Sequence, residues 1–301
     1  MRQVRLGQTD IKVGAISYGC WRFAGTDVAD ARSKIEVALD VGMTLIDTAD
    51  IYGFGTADGF GGAERLLGEV LRSSPGLRER MVLTTKGGIT PPVPYDSSYE
   101  YLTGAIDASL ERLNLDSVDL YQIHRPDLLA RVDETARALE DMVKAGKTKY
   151  VGVSNFTVPQ TRALQAHLPF PLVSAQPEFS AWEQAAITDG TLDWCSETGA
   201  SCLAWSPLAG GSLATGTAPD HADKVRYSAV IAALDSIAEH HNINRTQAAI
   251  AFALRHPGNV IPIVGTQRID RIEEAAAAAA ITLSRQEWYD VIEARRGEKL
   301  P

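Results

Sequence analysis

Eight short apolar runs recur along the chain, and longer segments with helical spacing separate them. Most of the runs are continuously apolar instead of alternating, which is typical of parallel strands that are covered on both faces. We therefore predict eight buried parallel strands that are connected by helices. They cover residues 15–18, 45–48, 81–85, 118–123, 150–153, 172–175, 202–204 and 261–264.

Apolar residues spaced three and four positions apart predict the connecting helices. They comprise residues 29–41, a segment after the N-cap Ser98, a segment that ends at Ala145-Gly146, and residues 231–238, 246–256 and 285–295. The alanine run at 275–280 is also predicted to be a packed helix, because alanine has the highest helix propensity. Near the start, residues 4–6 and 11–13 flank a Gly-Gln-Thr-Asp turn, which predicts a small β-hairpin.

This alternation predicts an α/β fold, namely a (β/α)8 TIM barrel with a short N-terminal β-hairpin and extra helices. We expect residues 1–301 to form one such barrel domain. A six-stranded doubly wound sheet is the alternative, but the strand count disfavours it. The first strand is also followed by the single glycine Gly19, whereas a dinucleotide fingerprint of that fold needs three glycines.

Composition and charge narrow the classes of function. The 301 residues are 45% hydrophobic and 22% charged, as in ordinary globular proteins. The formal net charge of -9 gives no long-range attraction for nucleic acid or anionic lipid, so we expect neither as a partner. Three scattered cysteines disfavour a disulfide scaffold and favour a reducing cytoplasm. We see neither a signal peptide nor an apolar run of the roughly 20 residues that span a bilayer.

Four polar side chains able to do acid–base chemistry follow three successive predicted strands. Asp47 lies at the end of the second strand and Tyr52 follows it, Lys86 follows the third strand, and His124 follows the fourth. Each has a purely structural explanation when it is taken alone, such as a turn cap or a core histidine. In a barrel, however, the carboxyl ends of all strands face one mouth, which would bring the four side chains together.

Together these residues suit proton transfer to a carbonyl oxygen. A phenol titrates near pH ~10 in water and is a poor acid at neutral pH, but a neighbouring ammonium lowers its pKa. We therefore expect Lys86 to lower the pKa of Tyr52, Asp47 to hold Lys86 in place, and His124 to orient the carbonyl. Tyr52 would then donate a proton to the oxygen as a hydride reaches the carbon.

At this point the sequence resembles the aldo-keto reductase superfamily, over nearly the whole chain. Asp47, Tyr52, Lys86 and His124 match the family's Asp-Tyr-Lys-His tetrad in order and in strand position. Four further motifs are similar to family motifs and follow in the same order. They are Gly19-Cys-Trp21, Gly152-Val-Ser154-Asn155-Phe156, Gln176 and Trp205-Ser206-Pro207-Leu208.

The resemblance implies a nicotinamide cofactor in extended form across the barrel mouth, with NADPH preferred and NADH possible. Ser154, Asn155 and Gln176 would hydrogen-bond the nicotinamide carboxamide, Asp47 would lie beside the ring, and Trp205 would stack on it. The implied cofactor-binding residues are Gly19, Trp21, Asp47, Ser154, Asn155, Gln176, Trp205, Ser206, Pro207, Leu208, Gly210, Gly211, Gly265, Thr266, Gln267, Arg268, Arg271 and Glu274.

The phosphates of the cofactor would lie on two loops. Backbone N–H groups at Gly210 and Gly211 could approach the pyrophosphate, although a plain surface turn is the alternative. Arg268 and Arg271, assisted by Thr266, could bind the 2′-phosphate. The sequence departs from many relatives here. Glycine at 265 replaces a phosphate-binding lysine, and alanine at 275 replaces an asparagine that recognises adenine.

The substrate side of the mouth combines apolar and polar candidates. Trp21 and Phe54 are expected to form apolar walls. Arg125 follows His124 where many relatives have tryptophan, which would favour an anionic or polyhydroxylated substrate; a surface salt bridge is the alternative. Beyond the last predicted helix only a short tail remains, with Gly297–Pro301 at its end, so we expect an open mouth and a small-molecule carbonyl substrate.

We therefore expect an NAD(P)H-dependent reductase of aldehydes and ketones. The alternatives are an alcohol or sugar dehydrogenase that works in the oxidative direction, and a cofactor-binding accessory subunit. We expect no catalytic metal, because His240-His241 lie together on a helix end and not at a strand end. A retaining glycosidase is disfavoured because Glu178 has no second carboxylate as a partner.

Overall fold

The computed structural model of the protein describes residues 1–23 and 25–301. A hairpin of β1 (Gln3–Arg5) and β2 (Lys12–Gly14) precedes eight parallel strands that close into a barrel. Each barrel strand pairs with the next one in chain order, and the last pairs with the first. The barrel strands are β3 (Ser17–Gly19), β4 (Leu45–Asp47), β5 (Val82–Gly87), β6 (Val118–Ile123), β7 (Thr148–Ser154), β8 (Ser174–Gln176), β9 (Ser201–Ala204) and β10 (Val260–Val264).

Helices connect the strands, but those over Gly62–Ser73, Val158–Gln165 and Thr191–Thr198 were not among the helices predicted from the sequence. Ser98 caps the helix Tyr99–Leu113 by accepting a hydrogen bond from the backbone N–H of Tyr101, and Asn244 caps the helix Arg245–Arg255 in a capping box. The helices in the described residues are α1 (Val28–Asp40), α2 (Gly62–Ser73), α3 (Tyr99–Leu113), α4 (Val132–Lys144), α5 (Val158–Gln165), α6 (Ala185–Thr188), α7 (Thr191–Thr198), α8 (Ser212–Thr215), α9 (Lys224–His241), α10 (Arg245–Arg255), α11 (Ile269–Ala277) and α12 (Arg285–Arg296).

The hairpin covers the end of the barrel at which the strands begin. Leu6 and Val13 are completely buried there, in a cluster with interior strand residues such as Leu45. The backbone N–H of Gly7 donates to the hydroxyl of Ser201, 2.7 Å away, at the start of β9. The carboxyl ends of the strands therefore form the accessible mouth of the barrel.

Several predicted boundaries differ in the structure, and most of these strand ends differ by one or two residues. β3 starts at Ser17 instead of residue 15, and β8 covers 174–176 instead of 172–175. The alanine run does not form one helix: α11 ends at Ala277, and a 3-10 turn covers Ala278–Ala280. After this turn, the Arg255 guanidinium donates to the carbonyl of Leu283, 2.7 Å away, in the chain that leads to Ser284.

No helix in residues 1–23 and 25–301 is both long enough and apolar enough to cross a membrane.

The contact between α2 and α3 gives a test of the packing. A Cβ atom at Gly68 would lie 2.2 Å from the backbone carbonyl oxygen of Arg112. We therefore expect Gly68→Ala to lower the free energy of unfolding by roughly 1–3 kcal/mol, measured by chemical denaturation, because α3 must shift. At Gly104, an exposed position of α3, a Cβ would meet no atom within 4 Å. Gly104→Ala should raise that free energy by about 0.5–1 kcal/mol, and equal effects of both changes would contradict this packing.

Candidate active site

The four acid–base candidates meet at the mouth of the barrel. Asp47 is the last residue of β4, Lys86 lies near the end of β5, and His124 directly follows β6. Tyr52 lies in the turns that follow β4. Asp47, Lys86 and His124 are buried and Tyr52 is half-buried, so water has little access to the groups between them.

Lys86 is the centre of this group. Its Nζ donates to the Asp47 carboxylate at 2.7 Å, to the carbonyl of Thr48 at 2.8 Å and lies 3.3 Å from the hydroxyl of Tyr52. An ammonium has three hydrogens, so these three partners fix its direction. Burial alone would lower the pKa of Lys86, but Asp47 and Tyr52 raise it above its ordinary value. Lys86 therefore carries a fixed positive charge beside the phenol.

Two opposing effects act on the pKa of Tyr52. The ammonium of Lys86 lowers this pKa, as the sequence analysis expected, but burial raises it by more, so that it lies above the ordinary value of a tyrosine. The loss of water around the phenol, which the sequence analysis left out, is the larger effect. Tyr52 is consequently protonated at neutral pH.

His124 faces the same phenol with a neutral ring. Its ring centroid lies 5.8 Å from that of Tyr52, with an angle of 77° between the planes. Burial, followed by the charges of Lys86 and Arg125, holds the pKa of His124 well below its usual range. A neutral imidazole has one N–H donor and one acceptor nitrogen. It can therefore donate a hydrogen bond to an oxygen that lies next to Tyr52.

A hydrogen-bond network extends from Asp47 to the next strands of the barrel. The second carboxylate oxygen of Asp47 accepts from the Gln176 side-chain amide at 3.0 Å. The carbonyl of Gln176 accepts from the hydroxyl of Ser154, also at 3.0 Å. Three of the residues expected around the nicotinamide are thus linked to one another through direct contacts.

Asn155 links two further strand ends. Its side-chain NH2 group donates to the carbonyl of His124 at 3.1 Å and to the hydroxyl of Ser154 at 2.9 Å. Its side-chain oxygen accepts from the indole N–H of Trp205 at 3.0 Å. Asn155 adopts the left-handed conformation (φ 59°), which asparagine tolerates better than most residues. Its contacts fix the orientation of the Trp205 ring.

The loop after β9 uses its N–H groups differently from the expectation. The N–H of Gly210 donates to the hydroxyl of Ser206 at 2.8 Å, and the N–H of Gly211 donates to the carbonyl of Leu208 at 2.9 Å. Both donors are thus satisfied inside the loop. Pro207, which lies between the two acceptor residues Ser206 and Leu208 in the sequence, is buried.

Arg22 is a cation at this loop that the sequence analysis missed. Its guanidinium donates to the carbonyl of Gly210 at 3.1 Å and lies 5.0 Å from the ring centroid of Trp21. The position of Arg22, directly after the Gly-x-Trp stretch, is the sequence signal that could have identified it.

The loop after β10 and the first turn of α11 contain the residues expected near the 2′-phosphate. Gln267 is engaged with Lys34, whose Nζ lies 3.2 Å from its side-chain oxygen. Arg268 pairs with Asp270 at 3.0 Å. Arg271 is exposed and forms no ion pair with any residue that the structure describes.

The other residues expected in this loop and in α11 have structural contacts. A Cβ atom on Gly265 would lie 3.5 Å from the carbonyl of Gly19. The hydroxyl of Thr266 accepts from the N–H of Arg268 at 3.3 Å. The carbonyl of Glu274 accepts from the Gln247 side chain at 3.2 Å.

The rim of the mouth carries aromatic and charged groups. Trp21 and Phe54 are 62% and 57% exposed, respectively. Burial and the charge of Glu183 raise the pKa of Glu178, whereas Arg125 lowers it, so Arg125 and Glu178 lie within electrostatic range of each other. The rim therefore offers a cation, Arg125, directly after His124, and a carboxyl group within electrostatic range of that cation.

Asp50 is a second buried carboxyl group that the sequence analysis missed. Neither oxygen of its carboxyl group has a hydrogen-bond partner among the described residues, and the same holds for the hydroxyl of Tyr121. Gly87 separates the two: a Cβ there would lie 2.1 Å from the Tyr121 hydroxyl and 3.3 Å from Asp50 Oδ2. Burial, followed by the negative charge of Glu64, raises the pKa of Asp50 well above its usual range.

Comparison with known proteins identifies the family. A sequence model of the aldo/keto reductase family matches residues 15–296. The chain therefore belongs to the aldo/keto reductase family, as its motifs indicated, and the family consists of oxidoreductases.

Individual relatives agree with this family. A 6-dehydroglucose reductase of Novosphingobium aromaticivorans is 48% identical over 299 residues, which cover 99% of this chain and 96% of the relative. A 6-dehydroglucose reductase of Agrobacterium fabrum is 38% identical over 93% of this chain and 94% of the relative. A thermostable aldo-keto reductase, crystallised with the inhibitor epalrestat, superposes with a TM-score of 0.83 at 27% identity. It covers 98% of this chain and 100% of that one.

The raised pKa of Asp50 makes the stability depend on pH. Above about pH 4 an unfolded chain loses this proton, whereas the folded protein keeps it until the pH reaches the raised pKa. The free energy of unfolding should therefore fall in this window, by up to about 1.4 kcal/mol per pH unit from this group. Asp50→Asn removes the effect, so its stability relative to the unchanged protein should rise from pH 4 to pH 8. A difference that is constant with pH would contradict the buried, protonated state.

Proposed function

We propose that this protein reduces aldehydes and ketones to alcohols with a hydride from NAD(P)H, and that Tyr52 is the general acid. One observation carries the proposal: the hydroxyl of Tyr52 lies 3.3 Å from the Nζ of Lys86, which Asp47 holds in place. When bound, the reduced nicotinamide supplies the hydride to the carbonyl carbon.

The residues around Tyr52 suit this proton transfer. Tyr52 holds its proton at neutral pH and can release it to a carbonyl oxygen that gains negative charge. The charge of Lys86 then stabilises the phenolate that remains. His124, which is neutral, would donate a hydrogen bond to the same oxygen and orient the substrate.

We further propose NADPH as the preferred cofactor, with NADH possible. The surroundings of the mouth fit an elongated dinucleotide. A Cβ at Gly210 or at Gly211 would meet no atom within 4 Å, so a ligand can approach the backbone of this loop closely. Arg22 adds positive charge there, and Arg271 is available for a 2′-phosphate. Trp205 would stack on the nicotinamide, next to Ser154, Asn155 and Gln176.

The substrate that we propose is the aldehyde of an oxidised sugar, 6-dehydroglucose. Two relatives that share 48% and 38% identity with this chain over most of its length carry that name. The rim also suits a polyhydroxylated molecule, because Arg125 and Glu178 can hydrogen-bond hydroxyl groups. Trp21 presents an exposed ring to the apolar face of a sugar.

The role of Tyr52 can be tested by following nicotinamide absorbance with 6-dehydroglucose as the substrate. We expect the protein to oxidise NADPH with this aldehyde, and Tyr52→Phe to lower kcat/KM by about 10²–10⁴-fold, because general acid catalysis is lost. The dissociation constant of NADPH should change little. Tyr289→Phe, on α12, is the matched control and should retain turnover.

The outcomes of this experiment separate the mechanism from the substrate. Undiminished turnover in Tyr52→Phe would falsify the general-acid assignment. If the unchanged protein turned over other aldehydes but not 6-dehydroglucose, only the substrate assignment would be overturned, and the proposed mechanism would stand.

The cofactor preference is tested by measuring the dissociation constants of NADPH and NADH. We expect tighter binding of NADPH. Arg271→Ala should raise the dissociation constant of NADPH about tenfold, because one charge-assisted hydrogen bond to phosphate is lost. The dissociation constant of NADH should stay nearly unchanged. Arg32→Ala, on the exposed surface of α1, is the control and should change neither constant. Equal or tighter binding of NADH would contradict the preference.

A further inference from the structure

Two histidines and a glutamate converge on the outer helical layer, away from the strand ends. His240 and His241 are the last residues of α9, and Glu287 lies in the first turn of α12. The Nδ1 of His240 is 2.7 Å from Oε1 of Glu287, and the Nε2 of His241 is 2.9 Å from the same oxygen. One carboxylate oxygen thus faces two imidazole nitrogens.

The two histidines reach one point although they are consecutive in the sequence. Neighbouring side chains on a helix point about 100° apart. His240 uses its near nitrogen, Nδ1, and His241 uses its far nitrogen, Nε2, which compensates for the different directions. Their ring centroids lie 4.9 Å apart.

The other oxygen of Glu287 is already occupied, which fixes the direction of the carboxylate. Oε2 accepts from the N–H of Ser284 at 2.7 Å, and the N–H of Glu287 donates to the hydroxyl of Ser284 at 3.2 Å. This capping box holds the start of α12 and the glutamate together. Oε1 is therefore presented to the histidines by a rigid helix start.

We propose that His240, His241 and Glu287 form a binding site for a divalent transition-metal ion such as zinc, which joins α9 to α12. Two imidazoles and one carboxylate form a ligand set that suits this class of metal. The ligand atoms lie within 4.8 Å of one another. Tetrahedral zinc separates its ligands by about 3.3 Å, so the contacts between Oε1 and the two nitrogens need to widen by roughly half an ångström.

Solvent can reach the site. The side chain of His240 is 74% exposed, so an ion can enter from the surface and keep a water molecule as its fourth ligand. The ion would replace the hydrogens that otherwise lie between the imidazoles and the carboxylate. Since none of the three residues belongs to the Tyr52 group, the proposal is independent of the reductase chemistry.

The test uses the full chain without a histidine tag, after treatment with a chelator. Co²⁺ is titrated while its visible absorption is recorded, and Zn²⁺ binding is measured by calorimetry. We expect saturable binding of one ion per chain and a higher Tm in the presence of Zn²⁺, because the ion binds only the folded site. Carbonyl reduction should be the same with and without Zn²⁺.

Variants separate metal binding from the helix cap. His240→Ala, His241→Ala and Glu287→Gln should each raise the dissociation constant of Zn²⁺ at least tenfold. Glutamine also supports a capping box, so Glu287→Gln keeps the start of α12 while it removes the anionic ligand. Ser284→Ala weakens the cap but keeps all three ligands, and His221→Ala removes an exposed histidine elsewhere. Both controls should bind Zn²⁺ like the unchanged protein.

Two results would overturn the proposal. One is the absence of saturable binding of Co²⁺ and Zn²⁺ to the unchanged protein, which would leave only hydrogen bonds between the histidines and Glu287. The other is binding that the three ligand variants leave unaltered, which would place the ion elsewhere.

Discussion

The buried ion pair between Lys86 and Asp47 is the interaction on which the mouth of the barrel depends. Removing two charges from water costs free energy unless hydrogen bonds satisfy both groups. Here the ammonium has three oxygen atoms as neighbours, and Asp47 accepts a second hydrogen bond from Gln176. The pair therefore constrains Tyr52 on one side and the network of β8 on the other.

Parallel strand pairing brings these distant residues together. Asp47 pairs with Thr84 of β5, and Lys86 pairs with Gln122 of β6. The register of each strand therefore fixes the position along the barrel axis of the site residue on the neighbouring strand. The same register continues from Ser154 to Gln176. Asp47, Lys86, Ser154 and Gln176 thus lie on consecutively paired strands from β4 to β8, and a shift in one strand would misplace both acid–base residues and residues expected around the nicotinamide.

The sequence predicted this arrangement because periodicity and strand ends are local properties. The runs of apolar residues predicted eight strands. The positions of Asp47, Tyr52, Lys86 and His124 relative to the ends of these strands indicated that the four side chains share one barrel mouth. The pKa of Tyr52 could not be predicted, since it depends on burial by residues distant in the sequence. The internal hydrogen bonds of Gly210 and the unpaired carboxyl group of Asp50 are likewise tertiary features.

The N-terminal hairpin determines which end of the barrel ligands can use to enter and leave. Because Leu6 and Val13 fill the end at which the strands begin, the structure leaves the opposite end of the barrel as the route to Tyr52. Molecules that arrive at this phenol and molecules that leave it must then use the same opening. The groups that line this opening, among them the exposed rings of Trp21 and Phe54, therefore lie along the path of both.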